Sequence, residues 1–296
     1  MKKRIISVIA IVALVAMSGC QSTAEGQVEH AVAEEEETQN ESSIENQEGQ
    51  ESEGTESEEE AVDEHSTAEL EDSQQSNVDY SYEVNPENFT VEPLTEEAES
   101  QVALLTFDDA PDGNAVEMAE ILKEHDAPAI FFVNGMYLES EEGKEKLKKI
   151  HEMGYEIGNH TYTHPTLTDI SEEQQREEIV KVNDLVEEIT GERPRFFRAP
   201  HGLNTDYTKR VAEEEDMVLM NWTYGYDWEP EYQEPGALAD IMVNTAYLND
   251  GANLLMHDRE WTKEALDGII TGLREKGYTL VDPDLIYSPN KGGQAE

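Results

Sequence analysis

The sequence is short of cysteine, of positive charge and of long apolar runs. Cys20 is its single cysteine, so no disulfide can form within the chain. Lysine and arginine number 20 against 68 aspartates and glutamates, which gives a net charge of -48. A field of this sign repels nucleic acid and anionic membrane surfaces, so we expect no nucleic-acid partner and no contact with a membrane except through a lipid anchor. The apolar run over residues 5–17 is shorter than the roughly 20 residues that a membrane-spanning helix needs.

That apolar run belongs to a targeting pattern. It follows three basic residues and precedes Ser18-Gly19-Cys20, which is the layout of a secretory signal peptide. Residues 17–20 resemble the lipobox of bacterial lipoproteins, in which the cysteine becomes the acylated first residue. We therefore expect a signal peptide over residues 1–19 and a lipid on Cys20 that anchors the chain to the outer face of the membrane. Without acylation, the protein would be secreted.

The next part of the chain is acidic and poor in large apolar residues. Residues 21–100 contain no lysine or arginine, and residues 21–80 are rich in Glu, Ser, Gln, Thr and Gly. Such a segment cannot bury enough surface to offset its ordering entropy, and its charges keep it extended. We expect a disordered acidic linker over residues 20–80, followed by a lead-in segment over residues 81–97 that contains one short strand.

Beyond residue 98, short apolar runs alternate with longer amphipathic stretches. The runs predict seven strands: Val102–Phe107, Ala129–Val133, Tyr155–Gly158, Arg195–Arg198, Met217–Trp222, Asn253–Met256 and Tyr278–Val281. The stretches predict six helices, at about 114–125, 143–153, 171–190, 205–215, 237–248 and 261–276. Ser171 and Gln174 form a capping box for the third helix, and Gly191 closes it. The alternation favours a TIM-type barrel, irregular or incomplete, with an open doubly wound sheet as the alternative.

Polar motifs follow these strands, where both folds place their chemistry. Asp108 and Asp109 leave the first strand as adjacent carboxylates, a costly arrangement unless a cation neutralises one of them. His160 and His164 follow the third strand, and their i, i+4 spacing puts both imidazoles on one side of a helical turn, able to share a metal. Taken singly, such pairs are more often turn or surface residues.

Three further motifs come later in the chain: residues 195–202 (Arg-Phe-Phe-Arg-Ala-Pro-His-Gly), Tyr226-Asp227-Trp228 and Leu255-Met256-His257-Asp258. In this order the five motifs resemble the polysaccharide deacetylase family, which is carbohydrate esterase family 4 with its NodB-homology domain. The resemblance implies an α/β fold, an irregular (β/α)7 TIM-like barrel of the NodB-homology type, preceded by the disordered acidic linker. It places the catalytic domain at residues 98–285 and leaves residues 286–296 as a tail.

The resemblance also implies a metal site. Asp109, His160 and His164 match the three protein ligands of the family, which leave a coordination position open for water or substrate. One carboxylate and two imidazoles suit zinc, cobalt or nickel better than magnesium or calcium. Zinc is the expected ion, with cobalt and nickel as alternatives.

By the same resemblance, four residues carry the proton transfers. Asp108 matches the catalytic base and Arg198 the residue that grips its carboxylate. His257 matches the general acid that protonates the leaving amine, and Asp227 matches the residue that orients it.

The remaining matches concern the substrate. The backbone N–H of His201 would face the developing oxyanion. Pro200, which fixes the loop, is assigned to the substrate pocket with Trp228 and Leu255, two residues that would line it around the acetyl methyl group.

Three positions depart from the family pattern. Ala110 replaces the usual glycine, which costs about 1 kcal/mol if the position needs a positive φ. His201 stands where an aromatic residue is usual, and Tyr224 stands where an aspartate usually precedes Asp227. The direct metal and acid–base positions are all filled.

The expected activity is hydrolysis of N-acetyl groups on a cell-surface polysaccharide by a monomer. The anchor and spacer favour peptidoglycan, at GlcNAc or MurNAc, over chitooligosaccharide, exopolysaccharide or acetylated xylan. A non-catalytic glycan-binding lipoprotein is the alternative of another class. A glycosidase is disfavoured, because adjacent carboxylates cannot readily flank a sugar bond.

Overall fold

The computed structural model describes residues 80–289. The signal peptide, Cys20 and residues 20–79 of the expected linker lie outside this range, as do residues 290–296. The described chain opens with an antiparallel hairpin of β1 (Tyr82–Val84) and β2 (Val91–Pro93), which has two strands where one was expected. Near the other end, Ile286 and Ser288 are buried. The domain boundaries stay predictions.

A curled parallel sheet forms the centre of the fold. Its strands are β3 (Val102–Ala110), β4 (Ile130–Val133), β5 (Glu156–Asn159), β6 (Phe196–Phe197), β7 (Val218–Leu219), β8 (Tyr224–Gly225), β9 (Ala252–His257) and β10 (Thr279–Leu280). Their order is β7-β6-β5-β4-β3-β9-β8, and β10 pairs with the start of β3. Among the described strands, β7 and β8 do not pair with each other, so the barrel is open between them. The predicted irregular (β/α)7 fold is confirmed.

Six helices connect the strands. They are α1 (Ala115–Glu124), α2 (Glu141–Glu152), α3 (Glu172–Thr190), α4 (Asp206–Glu214), α5 (Pro235–Asn244) and α6 (Glu260–Glu275), at the six predicted places. The capping box of Ser171 and Gln174 opens α3, and Gly191 ends it with a φ of 83°. Between residues 80 and 289, no helix has the length and apolar character needed to cross a membrane.

Strand β3 differs from its prediction, because it continues through both carboxylates of the first motif. Its pairing with β9 extends to Asp108 opposite His257, and its pairing with β4 extends to Ala110 opposite Val133. Strand β8 was not predicted. It has only two residues, too few for a periodic signal, yet both are buried against β9.

Side chains of β3 are buried on both faces, as is typical of a parallel strand. Ala103, Leu105 and Phe107 pack with residues of the helices. Val102 and Leu104 belong to a second cluster made of strand, hairpin and chain-end residues. This second set lies inside the barrel. Its alternation continues along β3 to Thr106 and Asp108, which brings a carboxylate to the carboxyl end of the barrel interior.

Candidate active site

Asp108 lies at the carboxyl end of β3, paired in register with His257 on β9. The fully buried Arg198 donates from Nη1 to Asp108 Oδ1 at 2.7 Å and to Thr106 Oγ1 at 2.8 Å. Burial alone would raise the pKa of Asp108. The charges of Arg198, His160 and His257 more than offset burial and hold this pKa below its ordinary value. The carboxyl group is therefore ionised at neutral pH.

Asp109 reaches the same site because the alternation of β3 breaks there. Successive side chains of a strand point to opposite faces, so adjacent carboxylates should diverge. The register with β4 shifts between Phe107 and Ala110, and Asp109 has a φ of 63°. A left-handed residue at a bulge redirects its side chain, and both carboxylates reach one cavity. Ala110 does not have a positive φ, so it causes no backbone strain where the family has glycine.

The segment from His160 to His164 is not a helical turn, and this part of the sequence prediction was wrong. Strand β5 ends at Asn159, whose Oδ1 accepts the backbone N–H of Thr161 at 2.8 Å. Thr161 and His164 have φ values of 68° and 57°, which no right-handed helix contains. The side chain of Asn159 thus starts a turn at the strand end. The two imidazoles still meet, with 4.9 Å between ring centroids.

Asp109, His160 and His164 form a cluster with the geometry of a metal site. Each offers one ligand atom, and these atoms lie within 4.8 Å of one another. Nδ1 of His160 lies 2.7 Å from the carbonyl oxygen of Arg198. A carbonyl only accepts, so Nδ1 carries a proton, and Nε2 is the nitrogen that would bind a metal once it has no proton. Burial and the charge of His160 lower the pKa of His164, which favours the neutral form that a ligand needs.

His257 is held by the buried carboxylate of Asp227. Its Nδ1 lies 2.7 Å from Asp227 Oδ1, and its backbone N–H donates to Oδ2 at 2.6 Å. Burial would lower the pKa of His257, but the hydrogen bond and charge of Asp227, with the charges of Asp108 and Asp109, raise it above its ordinary value. Tyr224, which stands where an aspartate usually precedes Asp227, donates from its hydroxyl to the carbonyl of Met242 at 2.7 Å.

A cavity of about 440 Å³ brings these groups together. Trp228 and Leu255 line it beside the metal cluster, Asp108 and His257. His201, in a 3-10 turn with a φ of 59°, also lines it, and within the described chain its backbone N–H makes no hydrogen bond. Pro200 opens this turn and is buried, but it is absent from the cavity wall, contrary to its assignment to the pocket.

Sequence reasoning missed three residues that hold the site. Arg259 donates from Nη2 to Asp109 Oδ2 at 2.7 Å. Thr262 donates from Oγ1 to Asp227 Oδ2 at 2.7 Å. The carboxylate of Asp258 accepts the backbone N–H groups that precede and begin α1. Their position in the sequence could have indicated them, because all three lie within five residues after His257.

Comparison with known proteins agrees with the fold. The family model described as polysaccharide deacetylase matches residues 95–220. A peptidoglycan-N-acetylglucosamine deacetylase of Bacillus cereus is 31% identical, over 63% of this chain and 68% of its own. The peptidoglycan-N-acetylmuramic acid deacetylase PdaA of Bacillus subtilis is 31% identical, over 61% of this chain and 69% of its own.

A solved structure adds a contrast. A family 4 carbohydrate esterase pseudoenzyme from Bacillus anthracis is 33% identical to this chain, with a TM-score of 0.56. The similarity covers 62% of this chain and 63% of that protein, which is less than two thirds of its length. A mutant of the same pseudoenzyme has restored enzymatic activity.

Proposed function

Because this chain belongs to the polysaccharide deacetylase family, we propose that it hydrolyses N-acetyl groups on a cell-surface polysaccharide with the help of one divalent metal ion. One observation carries the proposal. The carboxylate of Asp108, the imidazole of His257 and the cluster of Asp109, His160 and His164 face one cavity. Amide hydrolysis needs these three functions together, namely a base, an acid and an electrophile.

The metal site is one part of this proposal. A divalent ion held by Asp109, His160 and His164 would act as a Lewis acid and make water more acidic. Two imidazoles and one carboxylate favour zinc, with cobalt and nickel as alternatives.

Asp108 is the base of the proposed reaction. It accepts a proton from the attacking water, and its lowered pKa keeps it ionised before the reaction begins. Arg198 holds Oδ1 of this carboxylate at 2.7 Å, which leaves Oδ2 for the proton. Arg198 is fully buried, so its side chain holds the carboxylate in a fixed position.

His257 is the acid of the proposed reaction. Its raised pKa favours the protonated imidazole, and with Nδ1 bound to Asp227, Nε2 is the nitrogen that can give a proton to the leaving amine. The backbone N–H of His201 donates to the oxyanion that develops on the acetyl carbonyl. Trp228 and Leu255 offer apolar surface to the acetyl methyl group.

We infer peptidoglycan as the substrate, at GlcNAc or MurNAc. The names of the relatives from Bacillus cereus and Bacillus subtilis support it, since each acts on one of these two sugars. A lipid on Cys20 and an acidic spacer would place the enzyme against the cell wall. Chitooligosaccharide, exopolysaccharide and acetylated xylan are the alternatives, and a protein without the lipid would be secreted.

A non-catalytic role in glycan binding is the second candidate. The pseudoenzyme from Bacillus anthracis is the observation that favours it, because a relative can have this fold without activity. Here the base, the acid and the three metal-ligand side chains are all in place, which supports catalysis.

Acetate release tests the proposal. The protein is assayed on peptidoglycan, chitooligosaccharide and acetylated xylan, with and without a metal chelator. We expect the fastest release from peptidoglycan, its loss with chelator and its return with zinc. Asp108→Asn should lower the rate about 100- to 10,000-fold, whereas the exposed Asp112→Asn, close to the same strand end, should not. Peptidoglycan binding without acetate release from any polymer would establish the second candidate instead.

A further inference from the structure

The carboxylate of Asp109 divides its two oxygens between two partners. Oδ2 accepts a hydrogen bond from Arg259 Nη2 at 2.7 Å. Oδ1 faces the other way and lies 3.7 Å from His164 Nε2, a member of the metal cluster. A carboxylate can bind a metal through one oxygen or through both. The guanidinium already engages one oxygen of Asp109, which leaves the other directed at the imidazoles.

Arg259 is itself held in place. Its Nη1 donates to the backbone carbonyl of Asp258 at 3.0 Å. The carboxylate of Asp258 in turn accepts the backbone N–H groups of Gly113 and Ala115, at 3.0 and 3.1 Å. The chain after β9 is therefore fastened to the chain after β3. These hydrogen bonds connect the segment that carries the guanidinium of Arg259 to the segment that follows the carboxylate of Asp109.

The pairing of charges in the site also indicates that Arg259 acts on Asp109. Asp108 has Arg198 as its own partner, at 2.7 Å, so it does not need Arg259. Arg259 is also part of the cavity wall, where its side chain keeps 35% of its surface exposed. Among the described residues, Asp109 is the carboxylate that pairs with Arg259. The position of Arg259 beyond the ligand oxygen is that of a group that orients a metal ligand from behind.

We propose that Arg259 is a positioning residue that fixes Asp109 as a one-oxygen ligand of the catalytic metal. The inference rests on the proposed function, because it assumes that Asp109, His160 and His164 bind a divalent ion. By engaging Oδ2, Arg259 keeps that oxygen from becoming an additional ligand. The coordination position that a catalytic metal leaves open for substrate is thereby preserved.

Cobalt binding tests this role without substrate. The full-length protein is freed of metal with a chelator and titrated with Co²⁺, and the visible absorption is followed. Arg259→Ala should raise the Co²⁺ dissociation constant about 10- to 100-fold. Arg259→Lys, which keeps a charged donor, should recover part of that loss. At saturation, the visible band of Arg259→Ala should be weaker than that of the wild type, because a second carboxylate oxygen increases the coordination number.

Arg274→Gln is the matched control, since Arg274 lies at the far end of α6 and donates to backbone carbonyls. It should bind Co²⁺ as the wild type does. Thermal unfolding of each metal-free variant verifies that it is folded. The proposal would be overturned if Arg259→Ala bound Co²⁺ at least as tightly as the wild type and with an unchanged band. The guanidinium would then only repel the metal ion by its positive charge. Absence of acetate release with the expected Co²⁺ results would refute the activity and leave the positioning role intact.

Discussion

Two arginine–carboxylate pairs of the active site differ in how deeply they are buried. We call the side of the cavity with Asp108 and Arg198 the inner wall, and the side with Asp109 and Arg259 the outer wall. On the inner wall, Arg198 and Asp108 pair at 2.7 Å, and their side chains keep 0% and 3% of their surface exposed. On the outer wall, Arg259 and Asp109 pair at the same distance, with 35% and 15% exposed. The residue types and the separation are identical, so burial is the property that distinguishes the two pairs.

This difference separates two tasks. Removing one partner of a buried pair leaves a charge that water cannot solvate, so the inner wall tolerates little change. Near the surface, water and salt replace a lost partner at small cost. The inner wall therefore holds the base at a fixed place and in a fixed ionisation state. The outer wall can adapt where a metal ion and a polysaccharide must enter.

The largest effect is expected for Arg198→Met. This variant keeps most of the side-chain volume but leaves the carboxylate of Asp108 without its partner inside the barrel. The free energy of unfolding should fall by about 3–5 kcal/mol. Urea denaturation of the metal-free protein measures it. An unchanged unfolding midpoint would mean that water reaches Asp108, and the contrast between the walls would disappear.

A smaller effect is expected for Asp227→Asn, which tests the acid on the inner wall. His257 acts only when protonated, so activity falls as pH rises through its pKa. The pair with Asp227 stabilises the charged imidazole, and its removal lowers the pKa of His257. The alkaline limb of kcat/KM should therefore move to lower pH, with a loss of up to about 100-fold at neutral pH.

The exposed neighbour provides the control for that profile. Glu229→Gln makes the same change of carboxyl to amide in an exposed residue whose side chain accepts from the indole of Trp228, at 3.1 Å. Its pH profile should match the wild type. A profile for Asp227→Asn that also matches would show that another group supplies the proton.

Much of this fold follows from sequence periodicity. The six helices and the long strands appear where apolar spacing predicts them, because burial of their faces determines both spacing and structure. The two-residue strand β8 has no such spacing, and only its place beside β9 makes it a strand. Motif order predicted most of the residues that line the cavity, but it missed Arg259 and assigned Pro200 to a wall that it does not form. Most of the contacts that orient these residues were not predicted.

The reason lies in backbone geometry. Alternation along β3 places Asp108 and Asp109 on opposite faces, and the bulge that unites them depends on pairing with β4. Likewise, i, i+4 spacing suggests a helical turn at His160. The side chain of Asn159 instead starts a different turn, which also brings the imidazoles of His160 and His164 together. Arg259 lies outside the five motifs. Its role follows from a contact between distant parts of the chain, because the segment after β9 meets the segment after β3 in the folded protein.

The smallest effect on stability is expected for Arg259→Ala in the metal-free protein. The outer pair is partly exposed, and surface ion pairs contribute about 0–1 kcal/mol, so the free energy of unfolding should fall by no more than about 1 kcal/mol. The same urea experiment, run beside Arg198→Met, measures both walls on one scale. A loss of several kcal/mol would mean that the outer wall is as rigid as the inner one. With the small loss that we expect, weaker Co²⁺ binding by this variant comes from the position of Asp109, because the fold around it is intact and the loss of a positive charge alone would strengthen binding.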